Sequence, residues 1–335
     1  MSFVIRPATM SDLQPLYEMA KLTGGGFTNL PADKPALKAK LERTSTAFSA
    51  NSDDDDQLFV MMLENRKTGE VRGTCQVFTK VGTRWPFYSY RIGSISQHSA
   101  ELGRTFRADT LSLVTDLEGA SEVGGLFLHP NERAGGLGLL LARSRYLFIR
   151  ANRERFGNRV IAELRGVIDD AGGSPFWDGV AGKFFGMGFQ EADQFNALHG
   201  NQFIADLMPS HPVYIAMLTD AARAVIGVPH PTGRAAMRML ENEGFAFDNY
   251  VDIFDGGPTM TAQTDKVRSI HEAKSSTLCA IEHGGHRSLI AAGKLSDFRC
   301  CFGHVLETSD GIAIEAEALE TLGVVIGDTI DWIRC

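Results

Sequence analysis

The amino-acid sequence predicts an α/β fold with a smaller, β-rich C-terminal region. Apolar segments with the spacing of strands alternate along the chain with segments of helical spacing, an order typical of a sheet covered by helices on both faces. A glycine-rich turn joins one such strand to a helix near the middle of the chain. Beyond Pro258 the chain changes to short strand-like runs divided by Gly and Asp, which we expect to form a small β-barrel-like appendix.

Composition limits the class of protein. The 335 residues, 44% of them hydrophobic and 22% charged, suffice for one large or two modest globular domains. A net charge of −8 without a basic stripe argues against nucleic acid or an anionic membrane as partners. No apolar run reaches the roughly 20 residues that a membrane span needs, and the N-terminus lacks a signal-peptide pattern. Because the five cysteines show no framework spacing, we expect a cytoplasmic protein.

The first predicted elements are a strand over residues 3–6, a helix capped by Ser11 and ending at Leu22, and a helix over 34–47. The glycine-rich loop from Thr23 to Pro31 between them has two interpretations, a flexible helix end or a loop that embraces a substrate. The acidic run 53–56 predicts a solvated loop. Residues 58–63 and 70–79 predict a hairpin, and 86–128 a strand-rich stretch.

Residues 124–138 read as a buried strand, a short connection and a glycine-rich turn, and an apolar helical segment follows at once. The turn contains R-x-x-G-x-G, as Arg133, Gly136 and Gly138. Glycines let the backbone approach a ligand closely, and the helix start presents unpaired N–H groups. Because no Asp or Glu occupies the first turn of the helix, we expect a negative ligand group there, such as a pyrophosphate.

The sequence of this turn can be compared with three known patterns of phosphate-binding loops. A P-loop requires Gly-Lys-Ser/Thr, but Leu139 and Leu140 follow Gly138. A dinucleotide fingerprint beginning at Gly136 would need a third glycine where Leu141 stands. The turn resembles in full the acyl-CoA loop of the GNAT acyltransferase superfamily, as does the N-terminal strand and helix start over 4–12. Taken alone, the six-residue pattern leaves a plain strand–helix connection open.

After this helix the sequence predicts a buried strand over 160–165, a helix over 175–185 capped by Ser174, and helices at about 212–226 and 233–243. Two helix ends share a glycine followed by an aromatic residue, Gly188-Phe189 and Gly244-Phe245. This echo is compatible with two related half-units. The C-terminal region contains cysteines and histidines, but without paired metal-ligand spacing we expect no metal site. These residues are Cys279, His283, His286, Cys300, Cys301 and His304.

A series of blocks along nearly the whole chain resembles the arginine N-succinyltransferase family, a GNAT-related group. The blocks are Lys21–Pro31, Tyr90–Gly93, Gly125–Pro130, Ala162–Asp169, Ser174–Trp177 and Tyr250–Pro258. The resemblance implies a GNAT-like acyl-CoA transferase core over 1–200, a second half-unit or substrate-site extension over 201–260, and a small β-rich C-terminal domain over 261–335. The acidic tract 51–57 and much of 262–310 depart from the family pattern.

The resemblance further implies that a succinyl group passes from succinyl-CoA, as co-substrate, to the α-amine of L-arginine, with no tightly bound cofactor. Leu126 matches a position that contacts succinyl-CoA, and His230 matches the proton-transferring histidine of the family. The alternatives are ornithine or another amine as acceptor, or a role as an acyl-CoA-binding partner subunit. A homo-oligomer and a heteromer with a paralogous subunit both remain open.

The chemistry fits these roles. An α-amine is largely protonated at neutrality, and a histidine that titrates near neutrality can accept its proton. Binding the carboxylates of both substrates requires cationic side chains, for which Arg91 and Arg165 are candidates. Binding the guanidinium of the arginine substrate requires an acidic side chain. Glu163, Asp169, Asp252 and Asp255 are candidate acids, although each of these six residues could equally belong to a structural ion pair or a loop. No cysteine lies in a nucleophile motif, so we expect direct attack on the thioester.

Overall fold

The computed structural model describes residues 3–23, 29–49, 55–133, 135–199, 202–209 and 211–335. The strands are β1 Phe3–Pro7, β2 Leu58–Asn65, β3 Val71–Phe78, β4 Ser89–Ser99, β5 Arg104–Val114, β6 Ser121–Leu128, β7 Arg159–Glu163, β8 Val213–Tyr214, β9 Ala246–Val251, β10 Pro258–Gln263, β11 Lys274–Ile281, β12 His286–Ala292, β13 Arg299–Thr308, β14 Gly311–Ile314 and β15 Thr329–Arg334. The helices are α1 Leu13–Leu22, α2 Lys34–Phe48, α3 Leu137–Ala151, α4 Pro175–Gly179, α5 Gly182–Phe185, α6 Phe189–His199, α7 Gln202–Leu207, α8 Asp220–Val225, α9 Arg234–Asn242, α10 Arg268–His271 and α11 Ala316–Leu322.

The chain divides into two compact units, and both are discontinuous in sequence. Unit 1 comprises Met1–Lys80, Ser121–Asn158 and Gln263–Cys335, whereas unit 2 comprises Val81–Ala120 and Arg159–Ala262. The predicted first domain, 1–200, therefore contributes to both units. The predicted boundary at 260/261 lies close to the point where the chain returns to unit 1.

Unit 1 is a sheet with helices on both faces. Its strand order is β12-β15-β11-β14-β13-β1-β2-β3-β6, and the predicted hairpin of β2 and β3 is present. Leu58, Val60 and Met62 alternate along β2 and pack in one buried cluster with the apolar side chains of α1 and α2. Phe59 points to the other face, where its ring lies 4.9 Å from that of Phe148 in α3. This alternation is what a strand covered on both faces requires.

The C-terminal strands of unit 1 close into a barrel. β12 pairs with β13 and β15, β15 with β11, β11 with β14, and β14 with β13. The predicted β-rich appendix is thus confirmed, and α11 packs against its core through Ala318 and Leu322. β13 also continues into the rest of the sheet, because Ile5 of β1 pairs with Cys300.

In unit 2 the strands are ordered β7-β10-β9-β4-β5-β8, with short helices around an aromatic core. The Trp177 ring is fully buried and stacks with the rings of Phe185 and Phe254, each 5.6 Å away between centroids. Its indole N–H donates to the carbonyl of Met187 at 2.9 Å, so its polar atom is satisfied inside the core.

Two predicted helices differ in the structure. The helix predicted over 175–185 begins as expected at the Ser174 cap, whose Oγ accepts from the Trp177 N–H at 3.1 Å, but it breaks into α4 and α5. Gly179 packs against Ala222 so closely that a Cβ would lie 2.4 Å from its methyl group. The helix predicted over 212–226 is helical only in α8, because Val213 and Tyr214 instead pair with β5 as strand β8.

Smaller differences occur at three other points. The Asp12 carboxylate accepts from both the N–H and the hydroxyl of Thr9, at 2.7 and 3.1 Å, so Thr9 and not Ser11 caps the turn leading into α1. The strand predicted over 160–165 ends at Glu163. Residues 24–28 of the predicted glycine-rich loop and residues 53–54 of the acidic run lie outside the described residues. In the rest of the acidic run, Asp55 and Asp56 form ion pairs with Lys80 and Arg43.

Among the described residues, no helix has the length and apolar character to cross a membrane. The same part of the chain contains no group of three or more His, Cys, Asp or Glu side chains arranged to hold a metal ion. All five cysteines are free thiols.

Candidate active site

The glycine-rich turn of unit 1 has the geometry of an anion site. Gly135 and Gly136 adopt positive φ values of 73° and 84°, which favour glycine, and Gly136 caps the N-terminus of α3. No acid lies in the first turn of this 15-residue helix, so its N–H groups are available to an anion. A Cβ at Gly138 would have only a distant Leu128 methyl group, 3.9 Å away, as a neighbour. No neighbour in the described part of the chain therefore requires a glycine at 138.

Arg133 is exposed, and its guanidinium forms no hydrogen bond or ion pair with the described residues, so it is open to an anionic group. A second cation lies at this turn, and the sequence analysis did not identify it. Arg287 of β12 donates to the Gly135 carbonyl at 3.1 Å and stacks over the Phe302 ring at 4.2 Å. Because about 150 residues separate Arg287 from the turn, no local motif could have revealed it; only the pairing of the C-terminal strands places it there.

Leu126 lies at a β-bulge. On β3, Cys75 alone separates the paired residues Thr74 and Gln76, whereas Gly125 and Leu126 together occupy the matching stretch of β6. Gly125 has φ +56°, and a Cβ there would lie 2.7 Å from the Gln76 side chain, so glycine is required. Since the extra residue of a bulge leaves the hydrogen-bonded ladder, backbone N–H groups around Leu126 are available to another acceptor.

His230 of unit 2 is held by its own local turn. Its Nδ1 lies 2.7 Å from the Thr232 hydroxyl and 3.3 Å from the Thr232 backbone N–H, so the ring caps the short turn Pro231–Gly233. The hydroxyl can donate or accept, so it suits either ring tautomer. Partial burial, and then the positive charge of Arg165, lower the pKa of His230 below its ordinary value. The ring is therefore neutral at pH 7, as a proton acceptor must be.

The loop that carries His230 is fastened to the segment following β7. The His230 N–H donates to the Arg165 carbonyl at 2.8 Å, and Gly166 forms a β-bridge with Pro229. Asp255 holds this segment from the other side, because its carboxylate accepts from the N–H groups of Gly166 and Gly257, both at 2.8 Å. The backbone at 165–166 thus links the buried Asp255 carboxylate to the histidine.

Several candidate residues for recognising the amine are already engaged. Arg91 is more than half exposed, forms an ion pair with Asp116 at 3.3 Å and stacks on the Tyr250 ring. Asp169 accepts from the backbone N–H groups of Ala171 and Gly173 at 2.9 and 2.7 Å, so it shapes the turn before α4. These contacts match the structural alternative that the sequence left open for Arg91 and Asp169.

Asp252 and Asp255 are likewise structural. Asp252 is buried and accepts from the N–H groups of Phe254 and Asp255, at 2.7 and 2.9 Å. Burial, together with the neighbouring Asp255 carboxylate, raises the pKa of Asp252 to about 7. A carboxylate pair held by four backbone N–H groups is a brace for its own loop, not a guanidinium site. Glu163 and Arg165 remain half-buried candidates at the end of β7 and just beyond it.

Comparisons with known proteins cover the whole chain. A family model described as arginine N-succinyltransferase beta subunit matches residues 3–269, and the model of its C-terminal domain matches 273–334. Arginine N-succinyltransferases of Enterobacter sp. (strain 638) and Escherichia coli (strain 55989 / EAEC) are 40% and 39% identical, over 99% of this chain and 97% of each relative. The solved structure of arginine/ornithine succinyltransferase subunit AI from Pseudomonas aeruginosa superposes with a TM-score of 0.91 at 31% identity, over 99% of this chain and 98% of that one.

Proposed function

Because the chain belongs to the arginine N-succinyltransferase family, we propose that it transfers the succinyl group of succinyl-CoA to the α-amine of L-arginine, giving N2-succinyl-L-arginine and CoA. The observation that carries this proposal is the family match along the full length of the chain. The geometry of the glycine-rich turn and of His230 supports it independently, since acyl transfer from a CoA thioester needs an anion cradle and a proton acceptor.

The acyl-CoA is proposed to bind at the glycine-rich turn of unit 1. The N-terminus of α3, with Gly136 and Gly138 kept free of side chains, receives the pyrophosphate. Arg133 and Arg287 supply positive charge at the same turn. The β-bulge suits the proposed contact between Leu126 and the thioester. A backbone N–H that the bulge releases from the sheet ladder can donate to the thioester carbonyl as negative charge develops on its oxygen.

His230 is the proposed proton-transfer residue. The arginine α-amine attacks the thioester carbonyl carbon, the new C–N bond forms, and the carbonyl electrons move to the oxygen. The histidine takes a proton from the attacking nitrogen through Nε2, in the ring tautomer whose Nδ1–H donates to the Thr232 hydroxyl. When the tetrahedral intermediate collapses the C–S bond breaks, and the imidazolium can return the proton to the thiolate of CoA.

For the charged groups of the substrates, we propose Arg165 as a carboxylate partner and Glu163 as a guanidinium partner. Both residues lie on the short segment that precedes Gly166, to which the His230 loop is fastened. Of the other candidates, Arg91 pairs with Asp116, and Asp169 accepts from backbone N–H groups.

The reaction is proposed to proceed without a covalent enzyme intermediate. A cysteine nucleophile acts as its thiolate. Burial raises the pKa of Cys75 to about 11 and that of Cys301 to about 12, and it raises the pKa of Cys300 as well. These three thiols therefore stay protonated and sealed from substrate. We also propose a cytoplasmic location, where succinyl-CoA is available and free thiols persist.

Thiol release from succinyl-CoA by the purified chain alone tests the proposal, with arginine, ornithine and lysine compared at equal concentration. We expect arginine to be preferred and ornithine to be the next best acceptor, because the solved relative is described as acting on both. Succinyl-CoA should exceed acetyl-CoA in kcat/KM, since acetyl leaves a cation unpaired. Equal turnover of the two thioesters would overturn the succinyl assignment.

The same assay tests the rival role of an acyl-CoA-binding partner subunit. The family model and the solved relative are both described as subunits, so a homo-oligomer or a heteromer with a paralogue is proposed as the functional form. Succinyl-CoA binding without thiol release by the chain alone would identify a partner subunit. Light scattering of the purified chain then distinguishes a monomer from a homo-oligomer.

A further inference from the structure

A buried polar cluster lies directly against the bulged strand of unit 1. The Lys40 ammonium on α2 donates to Gln76 Oε1 of β3 at 2.8 Å and to the backbone carbonyl of Asn29. The Gln76 amide in turn donates to Asn29 Oδ1 at 2.7 Å. At Gly124 a Cβ would lie 3.2 Å from the Glu122 carboxylate, 3.3 Å from the Asn29 amide nitrogen and 3.7 Å from that of Gln76. The cluster therefore faces the strand two residues before Leu126.

Lys40 carries a charge that the described residues do not neutralise by contact. Both of its hydrogen-bond acceptors are neutral oxygens, and among the described residues it forms no ion pair. Burial, followed by the neighbouring Arg43, lowers the pKa of Lys40 to about 8, while the Glu122 carboxylate opposes that shift. The ammonium is thus mostly charged at pH 7. It has three N–H donors and uses two of them, so one remains for a ligand.

A second buried cation lies at the same strand. Arg145 of α3 is 4% exposed, and its guanidinium donates to the carbonyls of Ala142 and Gly124, the latter at the long distance of 3.5 Å. Because α3 covers the face of the sheet opposite to α2, Arg145 adds its charge from the other side of the strand. Buried charges normally pair with opposite charges, so the lack of an ion pair for Lys40 among the described residues favours an anionic ligand over a neutral one.

We propose that Lys40, held in place by Gln76 and Asn29, binds a carboxylate group of one of the two substrates beside the β6 bulge. This inference rests on the proposed function, in which succinyl-CoA and arginine each carry one carboxylate away from the reacting atoms. A planar carboxylate can accept from the Lys40 ammonium and from an amide N–H at once.

The test compares Lys40→Met with Lys38→Met in the full chain. Lys38 lies on the same helix, but its side chain is 60% exposed and pairs with Glu42, so it serves as the matched control. Each variant is assayed with succinyl-CoA against butyryl-CoA, which has a methyl group in place of the carboxylate. Each is also assayed with arginine against agmatine, which lacks the α-carboxylate.

Lys40→Met should lower kcat/KM for one charged substrate by about 10- to 100-fold and leave its uncharged analogue within about threefold. Loss of the succinyl-over-butyryl preference assigns the acyl carboxylate, and loss of the arginine-over-agmatine preference assigns the α-carboxylate. Lys40→Arg should retain part of the preference. Equal values for Lys40→Met and Lys38→Met with all four substrates, or an equal loss with all four, would overturn the proposal.

Calorimetric binding of the same four compounds separates this inference from the proposed function. If the wild-type chain transfers no acyl group, but Lys40→Met alone loses the binding preference for a carboxylate, the reaction is assigned wrongly and the subsite stands. If wild type transfers the succinyl group and Lys40→Met binds all four compounds as wild type does, the function stands and the subsite is wrong.

Discussion

His230 is positioned by its own turn before any substrate arrives, so its removal should affect chemistry more than folding. We predict that His230→Ala lowers kcat by about 10²–10⁴-fold, the usual effect of losing a positioned acid or base. The half-buried ring only caps a three-residue turn, so circular dichroism and succinyl-CoA affinity should stay unchanged. Raising the pH should partly restore the variant, because the amine then arrives deprotonated.

The matched control is His129→Ala. His129 also precedes a proline, and its Nδ1 accepts from the N–H of Asn131 at 3.3 Å, so the two residues cap the same kind of turn. Its substitution should leave kcat within about threefold. If His230→Ala kept the wild-type turnover at pH 7 and the wild-type pH profile, His230 would be only a turn residue, and another group would transfer the proton.

The charge of Arg165 should set the acid limb of the pH profile. Burial and then Arg165 lower the pKa of His230, and the neutral ring is the active form, so kcat/KM rises as the pH rises through that pKa. Arg165→Gln removes a positive charge that disfavours the imidazolium, so the pKa of His230 and the acid limb should both move to higher pH. Arg223→Gln, which removes an exposed arginine paired with Asp220, should leave the limb in place. An unmoved limb in Arg165→Gln would contradict the electrostatic argument.

Residue type alone did not show which acidic side chains the backbone already engages. Asp169 and Asp255 were reasonable acids for a guanidinium, yet each carboxylate accepts from two backbone N–H groups in a loop. Whether such groups lie near an acid depends on tertiary structure, so the sequence could not distinguish a brace from a binding residue. For the same reason the sequence did not single out Lys40, because a lysine on an amphipathic helix is common and its surroundings depend on the tertiary structure.

At the scale of an element, the glycine-rich turn and α3 act together as one anion site. Gly138→Val should weaken CoA binding by at least tenfold, because the added side chain meets almost nothing in the protein and must project towards the ligand. Gly136→Val is a poorer test, since φ of 84° would strain any side chain. Gly188→Val, near the start of α6 and with only Glu191 close to its Cβ position, is the control. Calorimetry should show weaker CoA binding for Gly138→Val and unchanged CoA binding for Gly188→Val. Unchanged CoA binding in both variants would mean that the turn only connects β6 to α3.

The strand–turn–helix unit was predictable because its glycines and apolar spacing are local properties. The break between α4 and α5 was not, because it depends on contact between Gly179 and Ala222, 43 positions away. Strand β8 was missed because two residues carry no periodicity, and the pairing of Tyr214 with Thr110 of β5 decides their conformation.

At the scale of the molecule, the predicted α/β fold class with its β-rich C-terminal region and the predicted family are both confirmed. The division into domains was predicted as three consecutive segments, and that division stays a prediction. The compact units interleave along the chain, because the segment 81–120 leaves unit 1 and the segment from 263 returns to it. Sequence patterns describe neighbours along the chain, so they could not show this exchange.

The C-terminal barrel is predicted to be essential to the stability of unit 1. Truncation after residue 272 would expose the edge of β1 where Cys300 pairs with Ile5, and it would remove Phe298. Phe298 is fully buried with its ring 5.1 Å from that of Phe148 in α3. We therefore expect the fragment 1–272 to be insoluble or to unfold without a cooperative transition.

A point substitution makes the same test in the full chain. Phe298→Ala should lower the free energy of unfolding by about 3–5 kcal/mol in urea titrations, the usual cost of emptying an aromatic site in a core. Phe106→Ala, at a side chain 57% exposed on β5, should change that free energy by less than about 0.5 kcal/mol. If the fragment 1–272 were soluble with the urea midpoint of the full chain, and Phe298→Ala were neutral, the barrel would be an independent domain. Because β13 pairs with both β14 and β1, we expect the opposite result.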